Sequence, residues 1–396
     1  MMSKRVFLDY AATAPLLPEV HELLCGASSG ASFGASLLGL GNASSLYREG
    51  RLARETLEQA RLNLAEVLRC SPQELYFCSG GTEAAGTLVE GIAHGALEKF
   101  GKNQARMHVL CAAFEHHAVL NSALSLKRLG FEVELLRPNR EGRITLESLE
   151  SALRPDTLMV AVMLAQNELG TVQDIAGLAA LAHSTGALFV SDCVQGLGKL
   201  PLYLADFGVD AACFSSHKIG GPFGVGAFFL RHSVPFLPRQ LGGGQERKLR
   251  SGTQDVPGAL GFALAAQLET AAFAAGEGAR QALLRDKLLA DLVTASNRIR
   301  STVPIAAGNI TSHLPGHLHL LVQGIESQTM ILKLDELGFA VSGGAACSTN
   351  SLDPSHVLMS TGISKDDAYG ALRISLGRNT TVEDCSRFTK ALLSIL

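Results

Sequence analysis

Seven short apolar runs, at 74–79, 107–112, 131–136, 158–164, 187–192, 211–215 and 224–230, are mostly separated by stretches with helical patterning. Nothing else in the sequence restricts the fold as much. A strand that is apolar on both faces needs both faces covered, so near-continuous apolar strands alternating with helices imply an α/β fold, a mainly parallel sheet with helices on either side. The 396 residues exceed what one such core usually takes, and two domains are expected. After Gly242-Gly-Gly244 and Arg250-Ser-Gly-Thr253 the composition shifts to helix formers from Val256 to about Ile299. That shift sets the expected boundary, with a large domain over 16–255 and a smaller α+β domain over 256–396. Strand candidates in the smaller unit are 317–322 and 340–342, and a last helix follows Thr381. Residues 1–15, with Pro15, read as a leading segment that packs with the small domain.

Charge and cysteine usage narrow the function classes. The 34 basic against 37 acidic residues leave no clustered positive field of the kind a nucleic-acid binder carries. Arg247, Lys248 and Arg250 form a short glycine-flanked run, suited to local anion binding or to a solvated loop. The eight cysteines show neither C-x-x-C nor zinc-like spacing, so no metal site is expected and a reduced, cytoplasmic protein fits best. His313 and His317 flank Pro315 and Gly316, which break the helix that a helical zinc motif needs. No signal-like apolar core opens the chain, and the apolar stretch 259–275 contains Gln267 and Glu269, which suits a buried amphipathic helix rather than a membrane span.

In open α/β sheets ligands gather at the carboxyl ends of strands, and the residues there form one chemical set. Lys218 lies in Ser215-Ser-His-Lys-Ile-Gly-Gly221, between a buried strand and a glycine-rich turn. An amine in such a partly dry place loses basicity, as a Schiff-base lysine requires; the alternative is a lysine on a surface loop. Ser79-Gly80-Gly81-Thr82 opens a helix and offers N–H groups and a hydroxyl to an anion, or simply caps the helix. Glu115-His116-His117 and Gln166-Asn167-Glu168 follow two further strands, and His116 is flat enough to stack on a heteroaromatic ring or to serve structure alone. Asp192 ends an apolar strand, with Gln195 three residues on. A carboxylate there needs a positive or hydrogen-bonding partner, for which a protonated pyridine nitrogen or a capped turn would serve. Arg373 sits in an apolar strand pattern, with a fork suited to a substrate carboxylate or to a structural ion pair. Cys347 stands in a loop of small residues where a thiol is reachable, unlike the other seven cysteines, which lie in apolar or helical contexts and read as inert core thiols.

Taken in order, LDYAAT, GNASS, SGGTE, EHHAVL, NELGTVQDI, the D-x-x-Q of Asp192 and Gln195, SSHKIGGP, GGGQERKLRSGT, AACSTNSLDPSHVL and RISLGR make the chain similar, nearly end to end, to the cysteine desulfurases. These are pyridoxal-phosphate enzymes of the class V aminotransferase superfamily, and the closest resemblance is to the branch serving iron–sulfur and nitrogenase assembly. The resemblance implies the fold type I architecture of pyridoxal-phosphate transferases. It implies that Lys218 binds the cofactor covalently, His116 stacks on its ring, and Asp192 keeps the ring nitrogen protonated, making the ring an electron sink. Gln195 and Asn167 would lie near the phenolic oxygen. Gly81, Thr82, Ser215 and His217 would hold the phosphate, joined by Thr253 of a second subunit in a homodimer. Arg373, with Asn167, would receive the carboxylate of L-cysteine, and Lys218 would remove the α-proton. Cys347 would take the sulfur as a persulfide, leaving L-alanine, and pass it to an acceptor or iron–sulfur scaffold protein. Selenocysteine lyases, other class V enzymes without a catalytic thiol, and a catalytically silent relative acting as a binding partner are the alternatives. Gly86, Ala43, Tyr47 and Gln166 depart from the family pattern, and none belongs to the set of Lys218, Asp192, His116 and Cys347.

Overall fold

The computed structural model describes residues 5–25, 41–344 and 354–396. Among them the strands run, in chain order, β1 (Val6–Phe7), β2 (Leu75–Cys78), β3 (His108–Ala112), β4 (Glu132–Leu136), β5 (Thr157–Ala161), β6 (Leu188–Asp192), β7 (Ala211–Ser215), β8 (Gly226–Leu230), β9 (Ile299–Ser301), β10 (His317–Val322), β11 (Phe339–Ala340) and β12 (Ala371–Ser375). The first seven apolar runs of the sequence become β2 to β8, one seven-stranded sheet in the order β2-β8-β7-β6-β5-β3-β4. All neighbours in it are parallel except β8, which runs against both β2 and β7.

The strands look uniformly apolar because their alternate residues feed two different cores. In β3, Leu110 and Ala112 join the cluster on one face of the sheet while Val109 and Cys111 join that on the other. The period of two is present, but it separates two apolar layers instead of core from solvent. The helices Arg48–Leu68 and Val256–Ala272 pack along each other in the first cluster. The helices Gly81–Phe100 and His117–Ser125 close the second. Phe189 and Phe214 on the first face and Phe228 on the second are fully buried, each contributing roughly 1.5–3 kcal/mol by removal from water.

The helix beginning at Val256 therefore belongs by packing to the large sheet, although the composition shift places a boundary before it. Its small residues Gly258, Ala259 and Gly261 are buried, which suits close approach of a neighbouring helix. Packing changes at Gly276, whose φ of 104° interrupts the helical run. Beyond it the helix Gly278–Ala295 brings Leu284, Leu288 and Leu292 into a separate cluster with β10, β12 and the last helix, Val382–Ser394. The run Val256–Ala295 is long and apolar enough to cross a membrane by length and composition, yet Phe262, Ala263 and Ala266 are spent on the core.

The smaller unit holds an antiparallel sheet in the order β12-β10-β9. The leading segment is woven into it: β1 pairs in parallel with β11, Ser375 N–H donates to Leu8 O at 2.8 Å, and Val6 and Leu8 join its core. The strand candidate at 340–342 ends early, with Ser342 forming an isolated bridge to Arg373. The last helix starts on a Thr381 capping box with Asp384. In the large sheet the chain leaves β3 for β4 on one side and returns through β5 on the other. The crevice above β3 and β5 is thus a topological switch point, where ligands bind in such sheets.

Candidate active site

A cavity of about 260 Å³ opens at that end of the sheet, and nearly every residue singled out above lines it. From β2 come Gly81 and Thr82, from β3 His116, from β5 Asn167, from β6 Asp192 and Gln195, and from β7 Ser215, His217 and Lys218. Arg373 enters from the small sheet.

Asp192 forms the floor. Its Oδ1 accepts the N–H of Val194 at 2.9 Å, and burial pushes its pKa up while the nearby His116 and Lys218 pull it down. A buried carboxyl facing a cavity calls for a cationic ring or a proton. His116 caps the helix His117–Ser125, its Nδ1 accepting the N–H of Ala118 at 3.1 Å. That bond leaves the proton on Nε2, and burial lowers the pKa further, so the ring is neutral near pH 7. This histidine is at once a structural cap and a wall of the cavity.

The anion end is built by close packing. Gly80, at the N-cap of the helix Gly81–Phe100, gives no side-chain cap, so the opening N–H groups remain available to an anion. A Cβ on Gly226, which begins β8, would lie 2.6 Å from Gly80 Cα, and one on Gly81 would come within 3.3 Å of Ser215 Cβ. Only glycine lets this turn cross β8 so closely. Arg250 fixes the turn from outside through Glu83, at 2.7 Å, and Glu83 in turn accepts the N–H of Ser79 at 2.7 Å. His217 stacks on Phe223 at 5.4 Å and has a pKa lowered to about 4 by burial and by Lys218 and Lys199. It is therefore neutral at pH 7.

Lys218 follows β7 on a single 3-10 turn closed by left-handed Gly220 (φ 74°). Its Nζ donates to the carbonyls of Ala11 at 2.9 Å and Ala12 at 2.7 Å. The leading segment thus crosses the mouth of the cavity directly over the lysine. It also reaches Arg373, whose guanidinium donates to Asp9 Oδ1 at 2.8 Å and to Asn167 O at 3.0 Å while its Nε stays without a partner. The ion pair and the cavity placement coexist at this residue.

Gln166 is fully buried and braces the Asn167 turn. Its amide donates to Phe114 O at 3.1 Å and accepts from Leu169 N at 2.8 Å. Glu115, also buried, holds cavity-wall Met163 through its backbone N–H at 2.5 Å, and burial raises its pKa. Asp9 and Lys199 are contributors that the strand ends did not reveal, and Glu115, which does follow a strand, serves the site through Met163. Asp9 was visible within LDYAAT and Lys199 four residues after Gln195, but neither ends a strand.

Thr253, expected to act on a second subunit, is exposed in the loop after Gly244 and does not line the cavity of its own chain. One expectation is corrected. Cys25 is not a core thiol: it ends the helix Pro18–Cys25, exposed, with Sγ 3.5 Å from His21 Nε2. Cys78, Cys111, Cys193 and Cys213 are buried, and burial raises their pKa values, to about 12 for Cys78. Cys347 lies outside the described residues. Gly344 and Ser355, on either side of that stretch, both sit against Glu168: Ser355 Oγ donates to Glu168 Oε2 at 2.6 Å, and a Cβ on Gly344 would lie 2.9 Å from the same oxygen.

A lysine, a buried carboxyl, a neutral histidine and an uncapped helix start around one crevice define a class of enzyme rather than a single reaction. The chain matches the class-V aminotransferases over residues 6–388 and belongs to that family, whose members work with pyridoxal phosphate. It is similar to the cysteine desulfurase IscS of Methanosarcina thermophila, with 34% identity over 100% of this chain and 92% of that protein. It is also similar to the cysteine desulfurase IscS of Dictyoglomus turgidum, with 36% identity over 97% and 92%. A solved NifS-like protein superposes with a TM-score of 0.86 at 32% identity, covering 99% of this chain and 100% of that one.

Proposed function

We propose that this chain is a pyridoxal-phosphate-dependent cysteine desulfurase, which converts L-cysteine to L-alanine and carries the sulfur as a persulfide on Cys347 to an acceptor protein. The observation that carries the reading is the meeting of Lys218, Asp192, His116 and Arg373 around one cavity whose far end is an uncapped helix start. The tight glycine cradle, the buried acid and the donor set all suit a phosphorylated pyridine.

Bound there, pyridoxal phosphate supplies an electron sink for the bonds changed on the amino acid. Thr82, Ser215, His217 and the opening N–H groups of Gly81–Phe100 hold the phosphate. Asp192 keeps a proton at the ring nitrogen, and the charge it meets there relieves its own burial. His116 presents a neutral ring to the cofactor's face. Gln195 and Asn167 address the phenolic oxygen. Arg373 receives the substrate carboxylate beside Asn167, on a guanidinium already oriented by Asp9. Lys218 holds the cofactor and moves the proton at Cα. The thiolate of Cys347 attacks the substrate sulfur: an S–S bond forms, the Cβ–S bond breaks, and a proton completes alanine. Gly344 and Ser355, which flank the stretch that contains Cys347, both sit against Glu168, next to Asn167.

The same reading has Thr253 reaching the phosphate of a second copy in a homodimer, which fits its exposure and its absence from the lining of the cavity of its own subunit. An iron–sulfur scaffold is the acceptor we favour, in the cytoplasm, in keeping with the free thiols of the described cysteines. The test is to incubate the protein, loaded with pyridoxal phosphate, with L-cysteine and to follow alanine and the mass of the Cys347 peptide. Alanine release together with one added sulfur on that peptide is expected. Full cysteine turnover by Cys347→Ala would overturn the mechanism.

A further inference from the structure

Lys199 has no part in the steps above, yet it stands directly behind them. It lies between the cofactor cavity and a neighbouring cavity of about 260 Å³ that it lines together with Gln195, Lys218 and Glu269. Gly198, left-handed at φ 69°, is packed so closely that a Cβ would lie 2.7 Å from Glu269 Cβ, which fixes the turn presenting Lys199. Its Nζ donates to Gln195 Oε1 at 2.9 Å, and Gln195 Nε2 donates to Ala11 O at 2.9 Å.

Those two neighbours leave the Gln195 amide only one satisfactory orientation. A lysine ammonium offers only donors and a backbone carbonyl only lone pairs. Turning the amide over would set N–H against N–H at Lys199 and oxygen against oxygen at Ala11, losing two hydrogen bonds for two repulsive contacts. We infer that Lys199 is a positioning residue that holds the Gln195 amide with its second N–H toward the site, where it meets the phenolic oxygen of the bound cofactor. This rests on the cofactor reading above and extends it to a residue that does not touch the cofactor. Lys199 faces Lys218, His217, Arg373 and Glu269; burial and then Lys218 bring its pKa down to about 7, with Glu269 opposing. A neutral Lys199 amine still carries N–H donors for Gln195 Oε1, so its hold on the amide does not require the charge.

The experiment is a pH titration of the visible absorption band of the protein loaded with pyridoxal phosphate, for the wild type, Lys199→Met, Lys199→Arg, Gln195→Ala and the Lys199→Met/Gln195→Ala double variant. Loss of the oriented donor makes the phenolic oxygen more basic, so Lys199→Met is expected to move the midpoint up by about one pH unit. Lys199→Arg, which also only donates, should restore it. In the Gln195→Ala background Lys199→Met should shift it no further. An unshifted midpoint in Lys199→Met, or the same shift with and without Gln195, overturns the inference while leaving the cofactor reading intact. A wild type with no visible band at all overturns both. Lys199→Leu repeats the measurement if the methionine variant does not fold.

Discussion

Asp192, Ser215 and Gly81 reach the cavity from the ends of strands in one sheet, whereas Ala11, Asn167 and Arg373 reach it from a leading segment, the turn that follows β5 and a second sheet. The floor is placed by collective apolar burial, with Phe189 and Phe214 fully enclosed beneath it. The roof is placed by single polar contacts: Arg373 to Asp9 and to Asn167 O, His317 Nε2 to Glu168 O at 2.6 Å, and Ser355 to Glu168. Such contacts contribute about 1–3 kcal/mol each, small beside a packed core. In the proposed reaction the groups that hold the ring lie on the floor, and those that would receive the substrate lie in the roof.

Substitutions should separate the two. Lys218→Ala should lower kcat by about 10⁴-fold or more and remove the covalent cofactor band; alanine release within tenfold of wild type would take Lys218 out of the reaction. Phe214→Ala, under the floor, should cost about 3–5 kcal/mol in chemical denaturation followed by circular dichroism. A loss below about 1 kcal/mol would mean that core burial does not place the floor. In the roof, Arg373→Met should raise KM for cysteine by about 10–100-fold with a smaller change in kcat. The reverse split would put Arg373 among the groups acting on the reacting bond. Ser355→Ala should cost about 1–3 kcal/mol, because its bond to Glu168 and the helix-capping bond it accepts from the N–H of Val357 are both lost. Denaturation measured with and without cysteine would show whether that tie matters more once substrate is bound.

The roof also differs from the floor in its response to acid. His313, whose Nε2 lies 3.0 Å from Leu169 O, braces the roof and has its pKa lowered by burial from 6.5 to about 4. Its folded value is below its unfolded value, so the unfolded chain binds the proton first. The stability it contributes is complete above about pH 6.5 and is lost as pH falls toward 4. Thermal melts across that range should slope less for His313→Asn than for the wild type, and parallel slopes would mean that another group controls acid unfolding.

Much of the floor was legible in the sequence because each residue ends or directly follows an apolar run, and strand order in a parallel sheet carries such residues to one side. Asp192 after Val190 and Lys218 after Phe214 are readable in that way. The roof was less so. Arg373 stood out as a charge in an apolar pattern, but nothing local ties it to Asp9, 364 positions earlier in the chain. Lys199 went unnoticed for a related reason: it follows a turn, and its importance lies in what Gln195 has on its other side. Composition reports helix from Val256 onward but not the helix's partner, and Val256–Ala272 packs against Arg48–Leu68.

The sequence by itself determined the sheet, the strand ends and the set of groups offered to a cofactor, because apolar periodicity and chain order are local properties. Only the tertiary structure decided that Ala11 and Ala12 lie over Lys218, that Asp9 orients Arg373, and that Lys199 and Ala11 together fix the Gln195 amide. Those arrangements depend on directional hydrogen bonds between segments far apart in the chain, and a hydrogen bond has no sequence signature until both partners have been brought within about 3 Å.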